Sequence, residues 1–295
     1  MDGSAGAVRL EAKGAEAAVA FRGAEPVRWL VGGRDLLWSG DPAHWAFRAP
    51  LLFPVVGASA GGHVTIDGVA HPMPQHGFAR HAAFDLVAAT TDSAHLRLSA
   101  DASTREAYPF AFRLDVRASL TPTSFALAFE VVNEGEVEMP YSLGIHPAFP
   151  WPLDGGTRAG HRVVFDEPER SEVPEVAPGG LLSRRRRAVP LDGCELPLAP
   201  ELFTEALVFL DARSRAFSLQ APTGASVRLE VDGFPHLAVW TKPDAPFVSL
   251  EAWSGHADHE GFAGEFRDRA SVTRLAPGDV GRHAARWLWT AGPAG

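Results

Sequence analysis

Three short segments of the chain gather side chains that can move protons or orient a ligand. The first, Gln75-His76-Gly77-Phe78-Ala79-Arg80, sets a carboxamide, an imidazole and a guanidinium within six residues. Such a set offers directional donors to ligand hydroxyls, although a turn histidine and a surface arginine would read the same way. The second, Gly144-Ile145-His146-Pro147-Ala148-Phe149-Pro150-Trp151-Pro152, places His146 before a proline. Pro147 lacks a backbone donor and stiffens the chain, so His146 is expected where a strand ends. Histidine is the side chain best suited to giving a proton near neutral pH. A structural histidine in an aromatic loop is the competing reading. The third, Phe247-Val248-Ser249-Leu250-Glu251-Ala252-Trp253, reads as a strand with Val248, Leu250 and Ala252 on one face. Phe247, Ser249, Glu251 and Trp253 then share the other face. A carboxylate between aromatic rings loses water, which raises its pKa and makes it a stronger base. The chemistry on offer is paired proton transfer; a solvated strand glutamate is the plain alternative.

The elements that would position these groups are strands. Phe112, Leu114 and Val116 alternate with Arg113, Asp115 and Arg117, and Phe125, Leu127, Phe129 and Val131 keep the same period. Leu96 with Leu98, and Val227 with Leu229 and Val231, repeat it. Period-two alternation puts one face on a core. Asn133-Glu134-Gly135, Asp154-Gly155-Gly156, Asp232-Gly233 and Pro277-Gly278 supply turns between such runs. Many short strands with Gly/Pro punctuation imply an all-β sandwich or barrel. Short helices are expected at Pro200 to Leu207 and Asp41 to Phe47. Residues 1–295 read as one domain, with no repeat or dividing linker. The stretch from Glu167 to Pro190, with Gly179-Gly180 and the run Arg184-Arg185-Arg186-Arg187, reads as a solvated loop.

Bulk composition narrows the partners. The 295 residues carry a net charge of −9, from 27 Lys and Arg against 36 Asp and Glu. That balance disfavours nucleic acid and anionic membrane, the arginine run notwithstanding. One cysteine, Cys194, permits no intrachain disulfide and fits a reducing, cytoplasmic location. Met1 to Leu10 lacks a leader pattern, and no apolar run reaches membrane-span length. No glycine-rich phosphate loop and no His-Glu-x-x-His motif is present. His256, Asp258 and His259 are spaced closely enough to suggest a metal, but an exposed loop explains them more simply. Oligomeric state is not legible.

Taken in order, the three segments resemble the aldose 1-epimerase (galactose mutarotase-like) family, and within it the LacX-like branch with a His-Gly-Phe-Ala-Arg motif. The resemblance extends over most of the chain. It includes Leu36-Leu37-Trp38-Ser39-Gly40-Asp41-Pro42, Trp45, Arg48-Ala49-Pro50 and Leu52-Phe53-Pro54-Val55-Val56-Gly57. Met73-Pro74-Gln75-His76-Gly77-Phe78-Ala79-Arg80 carries it most specifically. His146-Pro147-Ala148-Phe149 and Glu251-Ala252-Trp253-Ser254-Gly255 resemble the two catalytic stretches.

The resemblance implies a large antiparallel β-sandwich, the galactose mutarotase-like supersandwich, with a sugar cleft across one sheet. It implies Glu251 as base and His146 as acid in interconverting the α and β anomers of a free hexose. Arg48, Gln75, His76 and Arg80 match cleft-lining positions. Glu205 stands where the family usually has Asp, which puts its hydroxyl contact in doubt. The chemistry calls for no cofactor and no metal, and the partner is a small aldose. Three rivals share these residues. A hexose-6-phosphate mutarotase would pair Arg48 and Arg80 with phosphate. A glycoside hydrolase would use Glu205 and Glu251 as its carboxylates. A sugar-binding protein on the same fold would not catalyse at all.

Overall fold

A computed structural model describes residues 6–293; the leader reading of Met1 to Leu10 falls partly outside them. The expected sheet architecture is present, with 47% strand and 7% helix. The largest sheet among the described residues is nine-stranded and antiparallel. It runs from Glu195–Pro197 through Arg162–Phe165, Ala216–Gln220, Ser226–Asp232 and Val280–Thr290 to Ser124–Asn133, Phe112–Leu120, Ser93–Ser99 and Asp85–Ala89. The alternation read from the sequence decides which side is covered. Leu114, Val116, Phe125, Phe129, Leu229 and Trp287 face inward and are buried. Arg113, Asp115 and Arg117 lie on the opposite face, as period two requires.

A second, six-stranded sheet carries Glu251. Its order is Leu207–Phe209, His236–Trp240, Phe247–Trp253, Gly144–Ile145 and Leu51–Leu52, with Ala148–Pro150 also paired to Phe247–Trp253. Val248, Leu250 and Ala252 join the same buried cluster as Leu114 and Trp287, so the two sheets enclose a common core. A four-stranded sheet built from Ala7–Ala12, Ala15–Ala20, Pro26–Val31 and Arg34–Asp35 flanks them. There Trp29 meets Trp287 with ring centroids 5.9 Å apart.

The structure corrects three local expectations. Pro200 to Leu207 forms only a single 3-10 turn, Pro200–Leu202, before a strand begins at Leu207. Asp41 to Phe47 is a turn rather than a helix. Its Asp41 carbonyl accepts from the His44 and Trp45 amides (3.0 and 2.8 Å), and the carboxylate accepts from Ala43 N–H (2.9 Å). The segment from Glu167 to Pro190 is not a loop. Glu172–Val176 and Leu182–Ala188 pair as an antiparallel hairpin. Of its arginines, Arg187 meets Glu205 at 2.9 Å in a half-buried pair, while Arg185 meets Glu175 at 3.0 Å at the surface. The run is solvated at Arg184 to Arg186, as read, but it lies on a strand rather than a loop, and Arg187 is an inter-element partner.

Candidate active site

The strand Phe247–Trp253 is buried along its whole length, which is unusual for one holding a glutamate. Its core-facing residues explain half of that burial; aromatic cover over the other face explains the rest. Directly across the strand pair, Ala238 opposes Glu251 and Trp240 opposes Ser249. On the other side the neighbouring strand breaks, with pairing at Gly144–Ile145, then at Ala148–Pro150. His146 and Pro147 occupy the gap, as the missing proline donor predicts. The Pro147 carbonyl still accepts from Leu250 N–H at 3.1 Å, so the chain is held while His146 turns towards the glutamate. Gly144 is required here, because a Cβ would lie 2.9 Å from the Trp253 indole.

His146 Nε2 lies 3.1 Å from Glu251 Oε2. Glu251 is 1% exposed and His146 7%, so the pair is nearly dry. Burial pushes Glu251 well above the usual carboxylate range, and the Trp253 indole N–H, donating to Oε2 at 3.2 Å, partly opposes this. Burial drives His146 well below its ordinary value, with nearby His76 and Arg80 adding to the shift. Both groups therefore favour their neutral forms, and the pair holds one proton between them. Trp45 lies over the His146 ring at 4.8 Å, and Trp240 meets it edge-on at 5.4 Å. Trp45 is aimed by its own turn, whose carbonyl accepts from the Trp38 indole at 2.8 Å.

His76 packs edge-on against His146 at 5.8 Å. Its backbone is left-handed, φ 66°, and Gly77 follows at φ 71°. A Cβ on Gly77 would fall 2.1 Å from the Phe53 carbonyl oxygen, so this turn can press onto the chain only with glycine. His76 Nδ1 accepts from Gly57 N–H at 3.1 Å, which leaves the proton on Nε2. Burial, then Arg80, pulls the His76 pKa down to about 3, so it is a neutral donor.

Arg80 donates to the Gln75 carbonyl at 2.8 Å and lies 5.2 Å from the Phe47 ring. The exposed Gln75 side chain faces Gly180, the tip of the hairpin. Arg48 sits differently. Its guanidinium lies against Gly40, in a cavity of about 390 Å³ that also contains Asp35 and Ser39. Its backbone N–H and that of Ala49 donate to Glu25 Oε1 at 2.6 and 3.0 Å. Glu205 accepts from Arg187 Nε at 2.9 Å and from Val176 N–H at 2.7 Å. Asp258 is committed to a buried pair with Arg269 at 2.6 Å, and His256 Nδ1 to the Ala257 carbonyl at 2.8 Å.

Sequence reasoning singled out His146, Glu251 and His76, which the structure brings together. It missed Trp45 and Trp240 as cover for the imidazole, and Glu25 as the anchor of the Arg48 segment. Two tryptophans separated by almost two hundred residues give no local signal of a common site.

The architecture matches that of solved structures. A galactose mutarotase-like protein from Lactobacillus casei superposes with a TM-score of 0.90 at 26% identity, covering 97% of this chain and 100% of that one. A galactose mutarotase related enzyme from Lactobacillus acidophilus gives 0.89 at 25% identity, covering 97% and 98%. The protein therefore has the galactose mutarotase-like β-sandwich. Residues 6–268 match the aldose 1-epimerase family. Protein LacX from Lactococcus lactis subsp. lactis is 31% identical over 262 residues, 85% of this chain and 88% of that relative. The chain belongs to the aldose 1-epimerase family.

Proposed function

We propose that the protein is an aldose mutarotase in which Glu251 is the base and His146 the acid. The observation that carries this reading is the buried 3.1 Å contact between the two side chains. Anomers interconvert through the open chain. Glu251 Oε2 takes the C1 hydroxyl proton while His146 Nε2 gives a proton to the ring oxygen, and the bond from C1 to the ring oxygen breaks. Rotation about C1–C2 presents the other face of the aldehyde, and the reverse transfers close the ring.

Burial strengthens both groups for the opening step. A raised carboxylate pKa makes a better base, and a lowered imidazolium pKa makes a better acid. After opening, the proton is on Glu251 and His146 is neutral, the arrangement a dry pocket favours. The charged arrangement needed beforehand is supported by the Trp253 N–H on the carboxylate and by the Trp45 face beside the imidazolium. His76 Nε2–H and Arg80 supply neutral and cationic donors for ring hydroxyls. General acid–base help of this kind contributes about 10²–10⁴-fold.

A neutral hexose fits a chain of net charge −9 better than a sugar phosphate does. Polarimetry on freshly dissolved α-D-glucose and α-D-galactose should show equilibration accelerated well beyond the spontaneous rate, with their 6-phosphates slower. Faster equilibration of the phosphates would move the reading to a hexose-6-phosphate mutarotase. Saturable sugar binding with no acceleration of any of the four would leave a binding protein and overturn the catalytic reading.

A further inference from the structure

We propose that Glu205 is a positioning residue in this chain, latching the hairpin Glu172–Val176/Leu182–Ala188 down as one wall of the sugar cleft and so limiting the sugar that fits. The inference rests on the reading of that cleft as a sugar site. Both carboxylate oxygens of Glu205 are already engaged within the protein. Oε2 accepts from the Val176 backbone N–H at 2.7 Å, at the end of the first hairpin strand. Oε1 accepts from Arg187 Nε at 2.9 Å, on the second strand, and Arg187 also donates to the Leu202 carbonyl at 3.2 Å. One side chain thus ties both strands to the segment before Leu207. The pair is mostly buried, at 23% and 19% exposure, where a charge-assisted bond is not dissipated by solvent.

What the latch holds is next to the chemistry. Leu182 and Val176 pack into the cluster of Val208, Ala238 and Trp253. Ala238 is the cross-strand partner of Glu251, and Trp253 donates to its carboxylate. The turn at the hairpin tip closes on itself through Ala177 N–H to Leu181 O, 2.8 Å, and brings Gly180 beside Gln75. On the side away from Glu205, Leu182 N–H donates to Asp258 O at 2.8 Å and Glu260 N–H to Leu182 O at 3.0 Å. The wall is therefore pinned along two edges, and Glu205 with Arg187 forms the edge that rests on side chains. The extra methylene of Glu over Asp gives the reach to bridge a backbone amide on one strand and a guanidinium on the other.

The test uses the full chain with Arg187→Met, Glu205→Gln and the double variant, read by amide hydrogen exchange and by anomerisation kinetics with galactose and with lactose as a reducing disaccharide. Each single change should speed exchange at Val176 about tenfold or more, with protection of the Phe125–Val131 core unchanged. KM for galactose should rise several-fold while kcat stays within about twofold, and lactose should gain relative to galactose. The double variant should be no worse than the worse single. Arg187→Lys, which keeps the charge without the planar fork, should fall between and guards against a misfolded methionine variant. If Glu205→Gln raises KM while Arg187→Met leaves KM and Val176 exchange unchanged, Glu205 is a sugar ligand and the latch is overturned. If neither variant alters exchange, it is overturned too. Should the parent protein fail to anomerise any sugar, the sugar reading falls, while the exchange data still decide the latch.

Discussion

Glu251 and His146 are shifted in opposite directions by the same leading cause, the loss of water around them. Gaining a second proton would put a cation near Arg80 in a dry site, so that step lies well below the ordinary histidine value of about 6.5. Losing the last proton would leave a buried carboxylate, so that step lies well above the ordinary carboxylate range. Between them the pair keeps one proton, the state from which the proposed transfers start. We therefore expect kcat/KM to show no inflection near the ordinary histidine value of about 6.5. A fall in activity as pH rises through about 6.5 would mean that His146 titrates alone as an ordinary imidazole and that the pairing is wrong. The two groups were legible because each sits in a local pattern, a strand alternation for Glu251 and a proline break for His146. Glu25 was not, since nothing near it in the sequence reveals that its carboxylate would accept from two backbone amides 23 and 24 residues away.

At the scale of elements, polar groups on strands do more than face solvent. Asp115 is 1% exposed on the outer face of the nine-stranded sheet, gripped by Arg97 Nε at 2.7 Å, Arg113 Nε at 2.9 Å and His95 at 2.6 Å. Burial would raise its pKa, but those hydrogen bonds prevail and hold it down at about 2. A depressed carboxylate stabilises the fold above its unfolded pKa, and that contribution fades as pH falls through the folded one. Asp115→Ala should cost about 1–3 kcal/mol near neutral pH, towards the low end because both arginines can regain water. The gap between parent and variant in urea unfolding should shrink as pH falls from about 4 to 2. A gap independent of pH would assign the loss to packing alone.

Elements were legible where burial is one-sided and obscure where it is not. The alternating runs at Phe112–Leu120 and Ser124–Asn133 are strands, as read. The hairpin at Glu172–Val176 and Leu182–Ala188 was hidden because its exposed face is arginine-rich and its flanks hold prolines. The short α-helix Ala102–Ala107 was missed altogether. Its signal is a compact capping box in which Asp101 accepts from Thr104 N–H at 2.7 Å. Six residues between two strands leave no helical period to detect.

At the scale of the whole molecule, the site is an assembly of distant pieces over one sheet face. Trp45, His76, His146, Trp240 and Glu251 come from five separate stretches; Trp45 and Trp240 pack on a small cluster of Trp38, Ala148, Ala245 and Phe247, while Ile145, Val239, Leu250 and Ala252 of the strands beside them belong to the main core that runs from Leu10 to Trp287. Cooperative packing of two sheets is what brings imidazole and carboxylate to 3.1 Å, a distance that no spacing in the sequence contains. No helix among the described residues is long and apolar enough to cross a membrane. The most direct measurement is magnetisation-exchange NMR between the anomers of galactose, comparing the parent protein with Glu251→Gln and His146→Ala, each checked for native circular dichroism. Both variants should lose catalysed exchange by about 10²-fold or more. Exchange at the parent rate in either folded variant would contradict the assignment of these two side chains as base and acid.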